Sequence, residues 1–443
     1  MTAVVTRIAP SPTGQMHIGT VRTALFNYLF AKQQGGTYFV RIEDTDKERN
    51  KPEWVDAIWK DFEWCGLLPD ARYIQSEHAN RHRELLATLV SEGKAYVSKE
   101  PSRDDPSREV EVVRLKNPGT RITFTDLIRG EVSFDTTELG DFVIARSMHD
   151  PLYHFAVVAD DNDAGVTHII RAEEHLSNTS RQILIQEALG FPRPQYAHIP
   201  LILAPDRSKL SKRKHAASLE QYRDEGYLPE ALINYLALLG WNPGTDEEFF
   251  SLSELIERFS LERVQKSGAI LDETKLRSVN QHWMRKLSVD DFIERGNLVA
   301  PDTERLRQIV PLLKERAQTF AEVREMLTGE LSCIFSEPSL DSTILTVKEP
   351  AERRGMTKGA LESLLDPLQS LSGGVSAEAV KETFMPLADA AEAVGKGGRG
   401  AVLWPLRYAL SGQERSPDPF TLIAILGKET ALSRVQKAIA ILS

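Results

Sequence analysis

A chain of 443 residues exceeds what one hydrophobic core of ordinary size organises, so roughly two to four domains are expected. Its 41% hydrophobic and 27% charged residues are ordinary for a globular protein, and no apolar run reaches the length of a membrane span, so no membrane partner is expected. The net charge of −10 does not advertise nucleic-acid binding and does not exclude it, because binding depends on where the positive charge lies.

In chain order, the opening "MTAVVTRIAP" leads directly into a strand, "VVTRIA", so no leader peptide is expected. A helix follows from about Thr20 to Gln34 and stops at Gly35-Gly36. "TYFVRIED" is a second strand, and the βαβ unit it completes implies a parallel sheet. Residues 53–65 and 77–93 read as helices. Between 95 and 150 short β-like runs alternate with turns and no long helix is expected, which marks an insertion; strands return at "GVTHIIRAEEH" and "QYAHIPLILA". After 215 the chain turns helical. Ser218 and Ser251 open capping boxes, and "LPEALINYLALLGW" carries Leu232, Tyr235, Leu236 and Leu239 on one face before Gly240. From about 290 to 443 only helical segments and glycine-rich joints appear.

Two stretches carry chemistry. In "RIAPSPTGQMHIGT", residues 7–20, Pro10 and Pro12 stiffen the turn, while Gly14 and Gly19 admit a close approach to the backbone. A helix starting near Gly19 offers N–H groups to phosphate, and His17 would donate to a phosphoryl oxygen as it gains charge. The plainer reading of His17 is a capping histidine. The second stretch is "KLSKRK", residues 209–214, between a strand and a helix. Its crowded cations call for an anion such as triphosphate, and Ser211 would cap or touch phosphate; the plainer reading is a solvated basic loop.

Together these stretches resemble the HIGH and KMSKS signatures of class I aminoacyl-tRNA synthetases, with Thr20 in place of the last histidine. "TRIAPSPTG", "ALFNYLFA", "VRIEDTD", "IIRAEEH", "GYLPEALINYLALLGW" and "PLRYALSG" make the resemblance closer, to bacterial glutamyl-tRNA synthetases, over essentially the whole chain. It implies an α/β fold: a Rossmann-type parallel sheet in two halves (1–75 and 156–206), split by an inserted α/β acceptor-stem-binding domain (76–155). A stem-contact helical domain with the KMSKS-like loop (207–288) and an all-α anticodon-binding domain (289–443) would follow. The implied reaction joins L-glutamate to tRNA(Glu) with ATP and Mg²⁺, through a glutamyl-adenylate, in a cytoplasmic monomer.

The resemblance also implies roles. His17, Gly19 and Lys212 would be catalytic. Pro10, Thr13, Gly14, His17, Gly19, Thr20, Lys209, Ser211, Lys212 and Arg213 would hold ATP. Arg7 and Arg171 would clamp the carboxylates of glutamate, Glu43 would take its ammonium group, and Ser11 and Tyr153 would add hydroxyls. In plainer readings Arg7 pairs with Glu43 or Asp44, and Tyr153 is a packed aromatic. Arg316 would read the third anticodon base, Arg407 the first, and Ser416, Pro417 and Phe420 would surround the middle one; the plainer reading of Arg316 is a solvated helix residue.

Departures from the family matter. Many relatives carry a cysteine-containing zinc insertion, but here the stretch between Tyr96 and Arg114 is short and the inserted domain has no cysteine. The two cysteines, Cys65 and Cys333, are far apart, so neither a zinc site nor any other protein-held metal is expected. Val157 is read in a strand walling the pocket, where some relatives have asparagine. Alternatives stay open: an enzyme that also charges tRNA(Gln), a small-molecule nucleotidyltransferase, or a tRNA-binding paralogue without catalysis. A glutamyl-queuosine enzyme lacks the long helical tail, and a glutaminyl enzyme would carry a β-rich C-terminal part.

Overall fold

The computed structural model describes residues 3–46, 48–102, 105, 107–210, 218–347, 349, 355–393 and 398–442. The chain divides into two compact units, Met1–Trp283 and Met284–Ser443.

The first unit is α/β. A three-stranded parallel sheet joins β1 (Val5–Ile8), β2 (Thr37–Ile42) and β3 (Ala71–Ile74), with Arg7 opposite Phe39 and Arg41 opposite Tyr73. Helix α1 (Ile18–Gln33) crosses from β1 to β2 and ends before Gly35, whose φ of 61° provides the left-handed turn that stops it. Helices α2 (Pro52–Trp64) and α3 (Ala79–Ser91) follow as the sequence predicts.

The 95–150 region is built of strands: β4 (Ala95–Pro101), β5 (Glu109–Leu115), β6 (Arg121–Asp126), β7 (Gly130–Asp135), β8 (Phe142–Ser147) and β9 (Asp150–Pro151). They do not form one sheet. β4, β5, β8 and β9 pair antiparallel, whereas the β6–β7 hairpin adds to β10 (His168–Ala172) and β11 (Gln195–Ile199) in the order β10-β11-β6-β7. Leu86, Val113, Phe124, Ile144, Phe155, Ile169 and Ile183 meet in one buried cluster, so this region and the β10–β11 strands share a core.

One segment reads differently in the structure. Val157 lies not in a strand but in α4 (Tyr153–Asp163). "FAVV" has strand composition, yet this helix is buried on several sides against α3 and α5 (Asn178–Leu189), and packing overrides propensity.

Beyond a short pairing of β12 (Ile202–Leu203) with β13 (Ala269–Ile270), the first unit is helical: α6 (Leu219–Asp224), α7 (Pro229–Leu238), α8 (Leu252–Arg258) and α9 (Glu273–Lys286), in which the unit ends. Ser218 and Ser251 cap α6 and α8 with capping boxes, as the sequence predicts. Helix α7 is buried beyond its expected face: Ala231, Ile233, Asn234 and Ala237 are also covered, because α1 and α8 both pack on it.

The described part of the second unit is helical, with α10 (Val289–Arg295), α11 (Thr303–Arg316), α12 (Phe320–Thr328), α13 (Ser342–Leu345), α14 (Met356–Glu362), α15 (Leu365–Ser370), α16 (Ala377–Ala393), α17 (Gly400–Ser411), α18 (Pro419–Leu426) and α19 (Lys428–Ile441). Helix α17 is its centre and packs against α14, α16, α18 and α19.

Candidate functional site

The N-terminal turn is held from both sides. Glu43 N–H donates to Pro10 O at 3.0 Å, and the helix after the basic loop returns to the turn through Leu219 N–H to Met16 O at 2.9 Å. His17 is the N-cap of α1, and its Nδ1 accepts from Gly19 N–H at 3.0 Å. The capping reading is therefore right as far as it goes. An accepting Nδ1 puts the proton of the neutral ring on Nε2, the donor a phosphoryl oxygen needs. A Cβ on residue 19 would stand 3.2 Å from His17 Nδ1, so glycine is what lets the ring sit against the helix end.

A cleft of about 780 Å³ opens beside this turn. Its lining includes Arg7, Pro10, Ser11, Thr13, Gly14, His17, Gly19, Thr20, Glu43, Tyr153, Arg171 and Lys209, so residues singled out from distant parts of the sequence come together. Ser211, Lys212 and Arg213 lie outside the described residues. Lys209 pairs with Glu174, and both line the cleft.

Beneath the cleft runs a buried ionic network. Arg7 does not pair with Glu43 or Asp44; its Nε and NH2 each reach Asp161 at 3.1 Å. Arg41 NH1 reaches the same carboxylate at 2.6 Å, and its NH2 reaches Glu43 at 3.1 Å. Burial alone would raise the Asp161 pKa, but the two guanidinium groups hold it below the ordinary range. Glu43 shares Arg41 with Asp161, and there burial wins: its pKa is raised. An ammonium group beside Glu43 would reverse that.

Arg171 differs. It is only 5% exposed, and its Nε, NH1 and NH2 donate to His198, Gln182 and Thr179 at 3.1, 2.7 and 2.8 Å, all neutral acceptors. Burial lowers its pKa. A buried cation held by neutral groups favours an anion in the cleft. Tyr153, at the start of α4, remains 40% exposed on the cleft wall and is not packed away.

Several of these residues are missed from sequence. Asp161 and His198 belong to no motif, and Arg41 stands in "VRIEDTD" without a role there, although a charge inside an otherwise apolar strand ("TYFVRI") must be paired and so signals a partner. Arg22 on α1 is also missed; it donates to Leu239 O at 2.9 Å and to Pro200 O, tying α1 to the segments after α7 and β11. Among the described residues no group of three or more His, Cys, Asp or Glu is placed to hold a metal ion.

In the second unit Arg316 ends α11 and pairs with Glu330 at 2.9 and 3.2 Å. Arg407 donates to Glu414 O at 2.6 Å and lies over the Trp404 ring. Gln413 bridges to Gly329 O at 3.1 Å and Ser332 Oγ at 3.0 Å, so the loop after α17 and the turn after α12 are neighbours. Arg316, Arg407 and Ser416 thus flank one region. Phe420 does not offer a stacking face there: it is 7% exposed, its N–H capped by Asp418, and Pro417 is buried as well.

The sequence matches the family described as tRNA synthetases class I (E and Q), catalytic domain, over residues 3–109 and 102–278, and the anticodon binding domain over 278–439. A glutamate–tRNA ligase of Moorella thermoacetica is 39% identical, with 99% of this chain and 98% of that protein aligned. This chain belongs to the glutamate–tRNA ligase family. Another relative, from Carboxydothermus hydrogenoformans, is also 39% identical over 97% of this chain and 98% of its own length. A crystal structure of a glutamate tRNA ligase from Elizabethkingia meningosepticum in complex with its amino acid superposes with a TM-score of 0.85 at 32% identity, covering 99% of this chain and all of that one. The Moorella alignment spans 496 positions against a chain of 443 residues, so that relative carries stretches this chain lacks. Among the described residues no helix is long and apolar enough to cross a membrane.

Proposed function

We infer that this chain joins L-glutamate to tRNA(Glu) using ATP, through a glutamyl-adenylate, with release of AMP and pyrophosphate. The observation that carries this reading is the cleft in which the "HIG" helix start, Glu43 and two buried arginines converge. The α-carboxylate of glutamate attacks the α-phosphorus of ATP, and the terminal ribose of tRNA then takes the glutamyl group. No side chain need become a covalent nucleophile; positioning and electrostatic stabilisation carry the rate.

Arg171 meets one substrate carboxylate with a charge that its protein partners leave unneutralised, and Arg7 meets the other with a guanidinium braced on Asp161. Glu43 takes the ammonium group, assisted by Ser11 and Tyr153. His17 Nε2–H and the amides at the start of α1 receive phosphate oxygens, and Lys209, Ser211, Lys212 and Arg213 close on the triphosphate. Mg²⁺ would accompany ATP and offset the charge of its phosphates. Arg316 and Arg407, with Ser416 and Pro417 nearby, read the anticodon, and Arg316 makes the enzyme discriminating: a guanidinium donates to C but offers G's amine no acceptor. The protein acts as a cytoplasmic monomer and holds no structural zinc.

Charging of purified tRNA(Glu) and tRNA(Gln) with labelled glutamate tests this reading. Glutamyl-tRNA(Glu) should form with tRNA(Gln) left essentially uncharged; equal charging of both would remove discrimination, and charging of neither would remove the function. Elemental analysis should find no stoichiometric zinc after chelation, and retained zinc would contradict the site-free reading.

A further inference from the structure

Two buried side chains, Asp126 and His198, stand behind the cleft and belong to none of the motifs. Arg171 Nε donates to His198 Nε2 at 3.1 Å. A guanidinium has no acceptor, so Nε2 must present its lone pair and the ring proton must sit on Nδ1. Nδ1 in turn faces Asp126 Oδ2 at 2.6 Å. Both residues are closed off from solvent, at 1% and 0% exposure. Asp126 is itself pinned: Oδ1 accepts from the N–H groups of Ile128 and Arg129 at 3.0 and 2.9 Å, and Oδ2 from His198 N–H at 3.1 Å. It ends β6, the strand that joins β11 through the Tyr196–Asp126 pair.

We propose that Asp126 and His198 are positioning residues for glutamate: Asp126 fixes the tautomer of His198, and His198 aims the Arg171 guanidinium at the substrate carboxylate. This rests on the role given to Arg171 above. The hydrogen-bond polarity runs one way, from Arg171 to His198 to Asp126, and a donor in place of either acceptor reverses it. A strand of the 76–155 region therefore supplies a support of the amino-acid pocket.

Asp126→Asn tests the polarity. The amide oxygen can keep the Ile128 and Arg129 N–H groups only by turning its NH2 toward His198 Nδ1, and the His198 N–H then falls back on the amide oxygen, which stands 3.3 Å away as Oδ1 of Asp126. That donor draws the lone pair to Nδ1, moves the ring proton to Nε2 and sets N–H against N–H at Arg171. In steady-state charging of tRNA(Glu), the KM for glutamate should rise about 10- to 100-fold, the scale of a lost hydrogen bond to a charged group, while the KM values for ATP and tRNA stay put. The ¹⁵N shifts of the His198 imidazole should report Nδ1–H in the wild type and the opposite tautomer in the variant. His198→Leu should raise the glutamate KM, and His198→Gln, whose oxygen can stand near Nε2, should restore most of the loss. An unchanged glutamate KM in a folded Asp126→Asn, a parallel shift of all three KM values, or equal behaviour of the Leu and Gln variants overturns the proposal. If Asp126→Asn does not fold, the His198 pair decides. Failure of the wild type to charge tRNA(Glu) would instead strike the functional reading itself.

Discussion

The arginines of the cleft and those of the helical unit are held in opposite ways. Arg7 and Arg171 are 4% and 5% exposed, and each is gripped by two or more hydrogen bonds to buried partners. Arg316 keeps 37% of its side chain exposed beside Glu330, and Arg407 has a backbone carbonyl and one aromatic ring. Under the proposed function the difference follows from the ligands. A small charged amino acid is selected best by groups fixed in advance and stripped of water, where electrostatics are strong. Single-stranded bases must be splayed and stacked, and exposed side chains that can leave one partner for another suit that task.

Asp161 is where the buried network of the cleft is most vulnerable. Removing its carboxylate leaves Arg7 buried without its counter-ion and Arg41 with only Glu43 and Asp160. Asp161→Ala should lower the stability of the first unit by about 3–5 kcal/mol in urea unfolding, the range for a broken buried pair. A loss below about 1 kcal/mol would mean that the network relaxes as a surface one does.

Next in size is Lys212→Ala, in the basic loop outside the described residues. Losing one contact to charged phosphate should lower kcat for charging by about 10²–10³, or 2.7–4 kcal/mol, with folding intact. Unchanged charging at saturating ATP would remove Lys212 from the mechanism.

In the helical unit the effects shrink. Arg316→Gln, which both donates and accepts, should relax the preference for tRNA(Glu) over tRNA(Gln) by about 1–3 kcal/mol in kcat/KM. A uniform loss for both tRNAs with a shallower salt dependence would assign Arg316 to phosphate instead. Glu330→Gln should change stability by less than about 1 kcal/mol, because the pair it breaks is partly exposed. A larger cost in denaturant unfolding would show that this arginine is as firmly held as those in the cleft.

Legibility in the sequence follows the same division. Local devices were readable because their physics is local: the strand-turn-helix at Pro10 to Gly19, the stop at Gly35 and the capping boxes at Ser218 and Ser251 all appear where the residues put them. The cleft residues were readable because motifs carried them, but their supports were not. Asp161 lies 154 residues from Arg7, and Asp126 lies 72 from His198; nothing in either neighbourhood announces the other. Val157 misled because valine and phenylalanine speak for a strand while the packing around α4 makes a helix. Phe420 misled for a related reason: an aromatic beside prolines reads as a base platform, but here it fills the core of the helical unit.

Under the proposed function, the buried charges of the first unit select a free amino acid bearing a second carboxylate. Competition in tRNA(Glu) charging measures it most directly, with labelled glutamate held at its KM and unlabelled glutamine added in large excess. Glutamyl-tRNA should form undiminished, because glutamine leaves the charge of a buried arginine unmet. Strong inhibition by glutamine, or its attachment to the tRNA at a comparable rate, would contradict it.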